Sequence, residues 1–251
     1  MNILALFDDG SRSYYEALKH THTVISVGIR EHKDNYIQLD LSKGEQTYKE
    51  LKILVDKYGI DLILASPPCD SFSITSICRD SNGELGTAFH KFSNWEMWSI
   101  DEWRTITYPN IARNIGNWGS DKILTKYNQY KVKGELGRKI VDTLIYSLPL
   151  LGVPFLIENP KSSSMWRYMR DKGFNHISNN CCYNDYDTTF IQKPTTFYGT
   201  HELNLKCTYT KSTKKFRHTQ SSKKGENDGG SRSDIPKELV IDIVNQIEKL
   251  I

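Results

Sequence analysis

Cysteine is scarce in this chain, and that scarcity excludes the disulfide-stapled protein classes. Its 251 residues include 5 cysteines, an odd number without the spacing of a disulfide framework. Long apolar runs are also lacking, so no segment has the length of hydrophobic sequence that crosses a bilayer. Reduced thiols and the lack of a membrane segment together predict a soluble, cytoplasmic protein.

An excess of charge of either sign is lacking as well. The chain has 33 Lys and Arg residues against 30 Asp and Glu residues, which gives a formal net charge of +3. That balance neither indicates nor excludes a nucleic acid as partner. Residues 1–7 lack the basic flank and the cleavage site of a signal peptide, and we expect them to enter a strand at once.

The sequence alternates between strand-like and helix-like segments. Apolar runs of strand length occur at 2–7, 23–29, 61–65 and 153–157. Helical spacing of apolar residues occurs at 14–19, 45–58, 134–148 and 235–251. Such alternation is typical of βαβ units, so we expect an α/β fold with a largely parallel sheet and helices on both faces.

Two segments interrupt this alternation. Residues 81–133 have no clear period, and their tryptophans either belong to a core or stack on an unpaired base. Residues 200–232 are basic and rich in turn-forming residues, which fits either a solvated loop or a surface that follows nucleic acid phosphates. The tryptophans of the first segment are Trp95, Trp98, Trp103 and Trp118.

The strongest indication of chemistry is a cysteine at the end of a predicted buried strand. The sequence A-S-P-P-C-D-S-F-S at 65–73 places Cys69 after two prolines and before polar, turn-forming residues. A free cysteine is often a small core residue, whereas a partly exposed thiol at the mouth of a strand can attack a substrate. We predict that Cys69 is a nucleophile.

A second predicted strand ends in a carboxylate. The sequence P-F-L-I-E-N-P at 154–160 places Glu158 directly after an apolar run, with Pro160 restricting the turn that follows. The alternative role of such a residue is to cap a helix. We predict that Glu158 is an acid held at a cleft, where burial would suit it to proton transfer.

The loop after the first strand has the composition of a ligand-binding turn. The sequence F-D-D-G-S-R-S at 7–13 leads from a strand through glycine and serine into a helix, which lets backbone N–H groups approach a ligand. Turns of this composition also occur without a ligand. Asp40, after the third predicted strand, is either an adenine or ribose contact or a cap of the next helix.

Adjacent cysteines invite comparison with a metal site. Cys181 and Cys182, taken with His201, Cys207 and His218, match no zinc-binding spacing. We therefore expect a structural role for the pair and no bound metal.

The motifs together resemble those of the DNA cytosine C5 methyltransferases, in particular the compact phage and bacterial members. S-P-P-C-x-x-F-S at 66–73 and E-N-P at 158–160 are similar to the nucleophile loop and the acid loop of that family. The sequences C-C-Y, K-P-T and R-S-D-I-P, at 181–183, 193–195 and 232–236, are similar to tail elements of the compact members.

The resemblance implies both a domain organisation and a mechanism. It implies a Rossmann-like class I methyltransferase core over 1–195, a small basic target-recognition segment over 196–231 and a helix over 232–251 that returns to the core. It implies that Cys69 adds to C6 of a cytosine flipped out of DNA, that Glu158 protonates N3, and that Asn159 shapes the loop.

The resemblance also implies a cofactor, S-adenosylmethionine (SAM), and a double-stranded DNA partner bound by a monomer. The implied SAM contacts are Phe7, Asp9, Gly10, Ser11, Arg12, Ile29, Asp40 and Pro67. The implied DNA contacts are Ser71, Ser73, Lys193, Lys214, Lys215 and Arg217.

Three departures from the family pattern leave alternatives open. Gly10 alone remains of a glycine-rich loop, Gly28 stands where relatives carry an acid that holds the ribose hydroxyls, and no Gln-x-Arg-x-Arg motif is found. Glu31 is a candidate replacement for the acid, and Lys193 or Arg217 for the arginine. The alternatives are a weak or inactive methyltransferase-fold protein that binds DNA, and a C5 transferase that acts on RNA or uses a modified SAM.

Overall fold

A seven-stranded sheet forms the centre of the fold. The computed structural model describes residues 1–31, 34–73, 76–106, 119–211 and 234–251. The strands are β1 (Asn2–Leu6), β2 (Thr23–Gly28), β3 (Tyr36–Gln38), β4 (Leu62–Ala65), β5 (Ile77–Arg79), β6 (Leu85–Thr87), β7 (Phe155–Pro160), β8 (Ile177–Cys182) and β9 (Pro194–Gly199). The central sheet has the order β3-β2-β1-β4-β7-β9-β8, and β5 pairs with β6 in a separate hairpin.

The direction of the strands places a crevice at one edge of the sheet. Strands β3, β2, β1, β4 and β7 are parallel, whereas β9 and β8 add in antiparallel fashion beside β7. The strand order reverses between β1 and β4, which is where open α/β sheets bind ligands, beyond the carboxyl ends of the strands. This architecture confirms the expected α/β class with a mostly parallel sheet, and it is consistent with a Rossmann-like fold.

Helices cover both faces of the sheet. They are α1 (Ser13–Leu18), α2 (Glu45–Tyr58), α3 (Ile100–Thr105), α4 (Ser120–Leu151), α5 (Met165–Asp171) and α6 (Lys237–Ile247). Because strand side chains alternate between the two faces, Leu4 and Ile63 pack with α2, α4 and α5, whereas Ile3 and Leu62 pack with α1 and α6. None of the helices in the described part of the chain has the length and apolar character needed to cross a bilayer.

Helix α4 is longer than its apolar spacing predicts. The expected helix at 134–148 is only its second half, because α4 begins at Ser120 inside the segment that lacks a clear period. The first half is polar, yet it packs Ile123 and Tyr130 against a small core that contains Trp103. Tertiary packing therefore extends a helix whose local sequence does not demand one.

The tryptophans of the segment 81–133 are core residues wherever the structure describes them. Trp95, Trp98 and Trp103 have exposed fractions of 6%, 0% and 1%. The Trp98 indole donates a hydrogen bond to the Thr87 carbonyl at 2.7 Å. Of the two roles left open for these rings, burial in a core is therefore the one they have in this structure. Trp118 lies outside the described residues.

Candidate active site

One cleft of ≈ 640 Å³ opens at the carboxyl ends of β1, β4 and β7. It is lined by the loop after β1, by the Cys69 loop after β4, by the end of β7 and by the residues just before β9. The residues predicted from sequence that line it are Phe7, Asp9, Ser11, Pro67, Cys69, Ser73, Glu158, Asn159 and Lys193. The fold thus brings the predicted nucleophile, the predicted acid and part of the predicted cofactor loop to the same cavity.

The Cys69 loop is short and rigidly anchored. Pro67 and Pro68 lead from β4 to Cys69, which is half-buried and caps a single 3₁₀ turn, Asp70–Phe72. Phe72 is fully buried and packs against the rings of His90 and Tyr168, with centroid distances of 5.7 and 5.6 Å. A fully buried aromatic ring three residues after the thiol holds the loop against the core, which limits the positions that Cys69 can occupy.

Hydrogen bonds tie the Cys69 loop to the end of β7 and to the loop that follows it. The Asn159 side-chain amide donates to the Pro67 carbonyl at 3.0 Å, and the Ser164 backbone N–H donates to the Phe72 carbonyl at 2.9 Å. The Ser164 hydroxyl donates to that same carbonyl at 3.0 Å. The two loops therefore form one unit, in which Asn159 fixes the loop that presents Cys69.

Glu158 is buried among groups that orient its carboxylate. Its exposed fraction is 6%, and its Oε1 accepts a hydrogen bond from the Tyr183 hydroxyl at 2.8 Å. The Lys193 ammonium lies 3.6 Å from the same oxygen and 4.6 Å from the centroid of the Tyr183 ring. Sequence reasoning placed Tyr183 only in a tail element that resembles a family motif. Its contact with Glu158 depends on the antiparallel addition of β9 and β8 to β7.

The charges around Cys69 act in opposite directions on its thiol. Burial raises the pKa of Cys69, the Lys193 ammonium lowers it, and the carboxylates of Asp70 and Glu158 raise it. The net effect is a raised pKa, so the resting thiol is protonated at neutral pH. Lys193 is the nearby cation that favours the thiolate.

The loop after β1 is held by a buried polar network. Asp8 accepts hydrogen bonds from the backbone N–H groups of Tyr14 and Tyr15, each at 3.2 Å, and from the Ser26 hydroxyl at 2.7 Å. Burial raises the pKa of Asp8, and these hydrogen bonds and the charge of Arg12 oppose that effect. Asp8 therefore caps α1 and fixes the direction in which the chain leaves β1.

Arg12 takes part in this network and does not line the cleft. Its backbone is left-handed, with φ of 54°, and its guanidinium donates to the Ser26 hydroxyl at 3.2 Å and to the Asp34 carbonyl at 3.0 Å. The guanidinium also lies 3.8 Å from the centroid of the Tyr15 ring. In this structure its contacts serve the scaffold of the predicted cofactor loop.

Three further residues predicted to contact SAM do not line the cleft. Gly10 is exposed in the turn with φ of +72°, and Ile29 is 62% exposed beyond the end of β2. Asp40 accepts hydrogen bonds from the Ser42 backbone and hydroxyl, at 3.0 and 2.6 Å, and pairs with Lys43 at 3.2 Å. These local contacts are those of a turn residue, and Asp40 does not cap the next helix, because α2 begins at Glu45 without a side-chain cap hydrogen bond.

Asp9 occupies the space above the end of β2. Its Oδ1 accepts hydrogen bonds from the Tyr36 hydroxyl at 2.5 Å and from the Arg30 backbone N–H at 3.2 Å. Burial, followed by this hydrogen bond to Asp9, raises the pKa of Tyr36, so the phenol keeps its proton and donates it. Nothing in the sequence pattern connects Asp9 with Tyr36, because 27 residues separate them.

The segment that enters α6 returns to the same loop. The Ser11 hydroxyl donates to the Asp234 carboxylate, and the Ile235 backbone N–H donates to the Ser13 hydroxyl at 3.1 Å. Ser13 and Ile235 both line the cleft. The R-S-D-I-P segment therefore packs against the predicted cofactor loop and forms one side of the cleft there.

The residues predicted to bind DNA fall in different places. Ser73 and Lys193 line the cleft, whereas Ser71 is buried, and its hydroxyl donates to the Lys133 carbonyl of α4 at 2.9 Å. That contact orients Ser71 toward α4. Lys214, Lys215 and Arg217 lie outside the described residues.

The described chain on either side of 212–233 lies near the cleft. On one side, the Tyr209 carbonyl accepts a hydrogen bond at 3.3 Å from the side chain of Gln192, which stands between the cleft-lining residues Ile191 and Lys193. On the other side stands Ile235, which lines the cleft.

Within the described residues, no group of three His, Cys, Asp or Glu side chains is arranged to hold a metal ion. Cys181 and Cys182 are buried, and the Cys182 thiol contacts the Asn184 side-chain oxygen at 2.9 Å.

A scan against protein-family models and a search of curated proteins both find no match to this chain.

Proposed function

We propose that this protein is a SAM-dependent DNA cytosine C5 methyltransferase. The observation that carries the proposal is a single one: Cys69, Glu158 and the loop after β1 line the same cleft. A nucleophile and an acid that share the lining of a cavity with the loop after β1 suit addition to a pyrimidine ring next to a bound methyl donor.

The residues of the other half of the cleft fit an adenosyl cofactor. A volume of ≈ 640 Å³ lies within the usual range for small-molecule sites, roughly 300–1,000 Å³. Phe7 and Ile235 supply apolar surface, and Asp9, Ser11 and Ser13 supply polar groups, all on the lining of the cleft. These residues would hold SAM, and SAM when bound would supply the methyl group.

Cys69 would act as the covalent nucleophile. Its thiol gives its proton to the Glu158 carboxylate, Sγ bonds to C6 of cytosine, and the electron pair of the C5–C6 double bond moves toward C5. Because Cys69 has a raised pKa, this step needs help from Lys193, whose charge favours the thiolate. A carbon that carries this electron pair at C5 can accept a methyl group, which cytosine itself cannot readily do.

Glu158 would hold the edge of the cytosine ring. With the proton that it takes from Cys69 it protonates N3, which draws electrons from C6 and makes that carbon susceptible to Sγ. The hydrogen bond from Tyr183 and the ion pair with Lys193 both reach Oε1, which leaves Oε2 for the substrate. Asn159 keeps the Cys69 loop beside this carboxylate through its bond to the Pro67 carbonyl.

Release of the product reverses the first addition. After C5 has gained its methyl group, the C5 proton passes to water, the C5–C6 double bond re-forms as Sγ leaves C6, and the N3 proton returns through Glu158 to the thiolate. A base stacked inside a duplex cannot reach such a cleft, so the target cytosine would flip out of the helix, at a cost of about a few kcal/mol. The basic composition of 212–233, between described residues that lie near the cleft, supports DNA as the polymer.

A covalent trap tests the proposal. A DNA duplex with 5-fluorocytosine is incubated with labelled SAM, because fluorine at C5 cannot leave as the proton does and the enzyme stays attached. We expect a methylated adduct that resists denaturation, and we expect Cys69→Ala to abolish it. An adduct on RNA and not on DNA would identify RNA as the substrate and overturn the proposal of DNA. Salt-sensitive DNA binding without any adduct would support a binding protein on this scaffold and overturn the proposed reaction.

A further inference from the structure

The end of β2 has no space for a side chain. A Cβ placed on Gly28 would lie 2.5 Å from Asp9 Oδ1 and 2.5 Å from the Tyr36 hydroxyl, closer than such atoms approach in proteins. The Asp9 carboxylate therefore occupies the place where a longer residue at 28 would begin. Glycine at this position is what allows Asp9 and Tyr36 to meet.

This place has a known function in sheets of this topology. In doubly wound α/β folds that bind nucleotides, a carboxylate at the end of the second strand accepts hydrogen bonds from ribose hydroxyls. Here the strand ends in Gly28, and a carboxylate reaches the same place from the loop after β1. Asp9 also lines the cleft.

The Asp9 carboxylate is held in place by hydrogen bonds and can accept further hydrogen bonds. Both of its hydrogen bonds, from Tyr36 and from the Arg30 backbone, go to Oδ1. Among the described residues, none donates to Oδ2. A carboxylate has about four lone-pair sites, so Oδ2 can accept from one or two further hydroxyl groups.

From these contacts we infer that Asp9 is the ribose-binding carboxylate of the cofactor site, in place of an acid at the end of β2. The inference rests on the proposed function and names the part of the adenosyl group that Asp9 holds. The other nearby acids are placed less well for this role. Asp40 is engaged with Ser42 and Lys43, and neither Asp40 nor Glu31 lines the cleft.

Calorimetric binding of S-adenosylhomocysteine to the full-length protein tests the inference without any dependence on activity. Asp9→Asn keeps the size of the side chain and an oxygen that can accept from Tyr36, so we expect a folded protein. A hydrogen bond to a charged acceptor is stronger than one to a neutral acceptor, and we expect affinity to fall about tenfold or more. Asp40→Asn is the matched control and is expected to bind as the wild type does.

A ligand without the hydroxyls identifies the contact. The 2′,3′-dideoxy analogue of S-adenosylhomocysteine is expected to bind wild type and Asp9→Asn with the same affinity, since neither can form the bond. The exchange variant Asp9→Gly/Gly28→Asp/Tyr36→Phe returns the acid to β2 and removes the Tyr36 hydroxyl that its Cβ would meet, and it is expected to regain affinity for the natural ligand relative to Asp9→Gly/Tyr36→Phe.

Two results would overturn the inference, and they differ in what they imply for the enzyme. If wild type binds S-adenosylhomocysteine and Asp9→Asn binds it within twofold, Asp9 does not hold the ribose and the proposed function stands. If wild type binds no S-adenosylhomocysteine, both the inference and the proposed cofactor fail. Unfolding temperatures of all variants, measured without ligand, show whether a loss of affinity is a loss of structure.

Discussion

The half of the cleft around Cys69 is held by bonds between two loops, whereas the half around Asp9 is held by bonds within one end of the sheet. In the first half, Asn159 at the end of β7 and Ser164 in the loop after it bind the loop after β4. In the second half, Asp8 and Arg12 meet at Ser26, beneath the turn that presents Asp9.

The difference shows where a motif is a safe guide to a site. Glu158 lies in the carboxyl-terminal half of β7 and Cys69 lies in the short loop after β4, so strand direction brings both to the edge where the cleft lies. In the other half, the Arg12 side chain hydrogen-bonds to Ser26 and to the Asp34 carbonyl and does not line the cleft, whereas Asp9 in the same turn does. In this protein, catalytic candidates at strand ends could be predicted from the sequence. In the polar loop after β1, the sequence does not show which residues stabilise the loop and which line the cleft.

The largest effect is expected from Glu158→Gln, which impairs only the half of the cleft around Cys69. Glutamine can still accept from Tyr183 but cannot protonate N3, so the rate of adduct formation should fall roughly 10²- to 10⁴-fold. Single-turnover trapping with 5-fluorocytosine DNA gives the rate, and calorimetry with S-adenosylhomocysteine should show unchanged affinity. A parallel loss of cofactor affinity would contradict the independence of the two halves.

Gly28→Ala is expected to disturb the cofactor half alone, with a smaller effect. The added Cβ displaces the carboxylate of Asp9, and we expect about a tenfold loss of S-adenosylhomocysteine affinity with a loss of about 1 kcal/mol in the free energy of unfolding. Gly119→Ala is the control, because a Cβ there meets no atom within 4 Å. Wild-type affinity in Gly28→Ala would argue against a crowded β2 end.

Lys193→Gln sharpens the comparison through pH. Without this cation the pKa of Cys69 rises further, so less thiolate is present and adduct formation at pH 7 should slow roughly three- to tenfold. The deficit should shrink as pH rises, because deprotonation then becomes complete in both proteins. Lys193→Arg should keep most of the rate, and Lys161→Gln, which removes a cation outside the cleft lining, should keep all of it. A deficit that is independent of pH would exclude this electrostatic role.

The smallest effect at neutral pH is expected at His90, the ring beneath the Cys69 loop. Burial, together with the charge of Arg138, lowers its pKa from 6.5 to about 4, and a backbone contact with Gly134 opposes that shift only in part. As the pH falls, His90 is therefore protonated in the unfolded chain before it is protonated in the folded protein. Stability from neutral His90 is complete above pH 6.5 and is lost down to pH 4, by about 3 kcal/mol.

Denaturant unfolding between pH 4 and 7 measures this loss. His90→Phe removes the titrating group and keeps an aromatic ring that can stack on Phe72, so its stability should depend less on pH over that interval. An equal pH dependence in the variant and the wild type would show that other groups cause the loss at low pH.

Much of the fold follows from local pattern, because burial on one or both faces leaves a periodicity in the sequence. The strands at 2–7 and 61–65 and the helix at 45–58 are present close to their predicted bounds, whereas the strand predicted at 153–157 lies at Phe155–Pro160 and includes Glu158. The first half of α4 is different. Its residues lack apolar spacing, and the helix there depends on a small core around Trp103 that no short window of sequence contains.

What the sequence by itself determined is the α/β class and the two strand ends that carry Cys69 and Glu158. Only the tertiary structure decided which groups surround them. Tyr183 reaches Glu158 through the addition of β9 and β8 beside β7, and Asp9 meets Tyr36 across the end of β2. The physical reason is that periodicity records how deeply a residue is buried, whereas the partner of a buried polar group depends on strand pairing between distant parts of the chain.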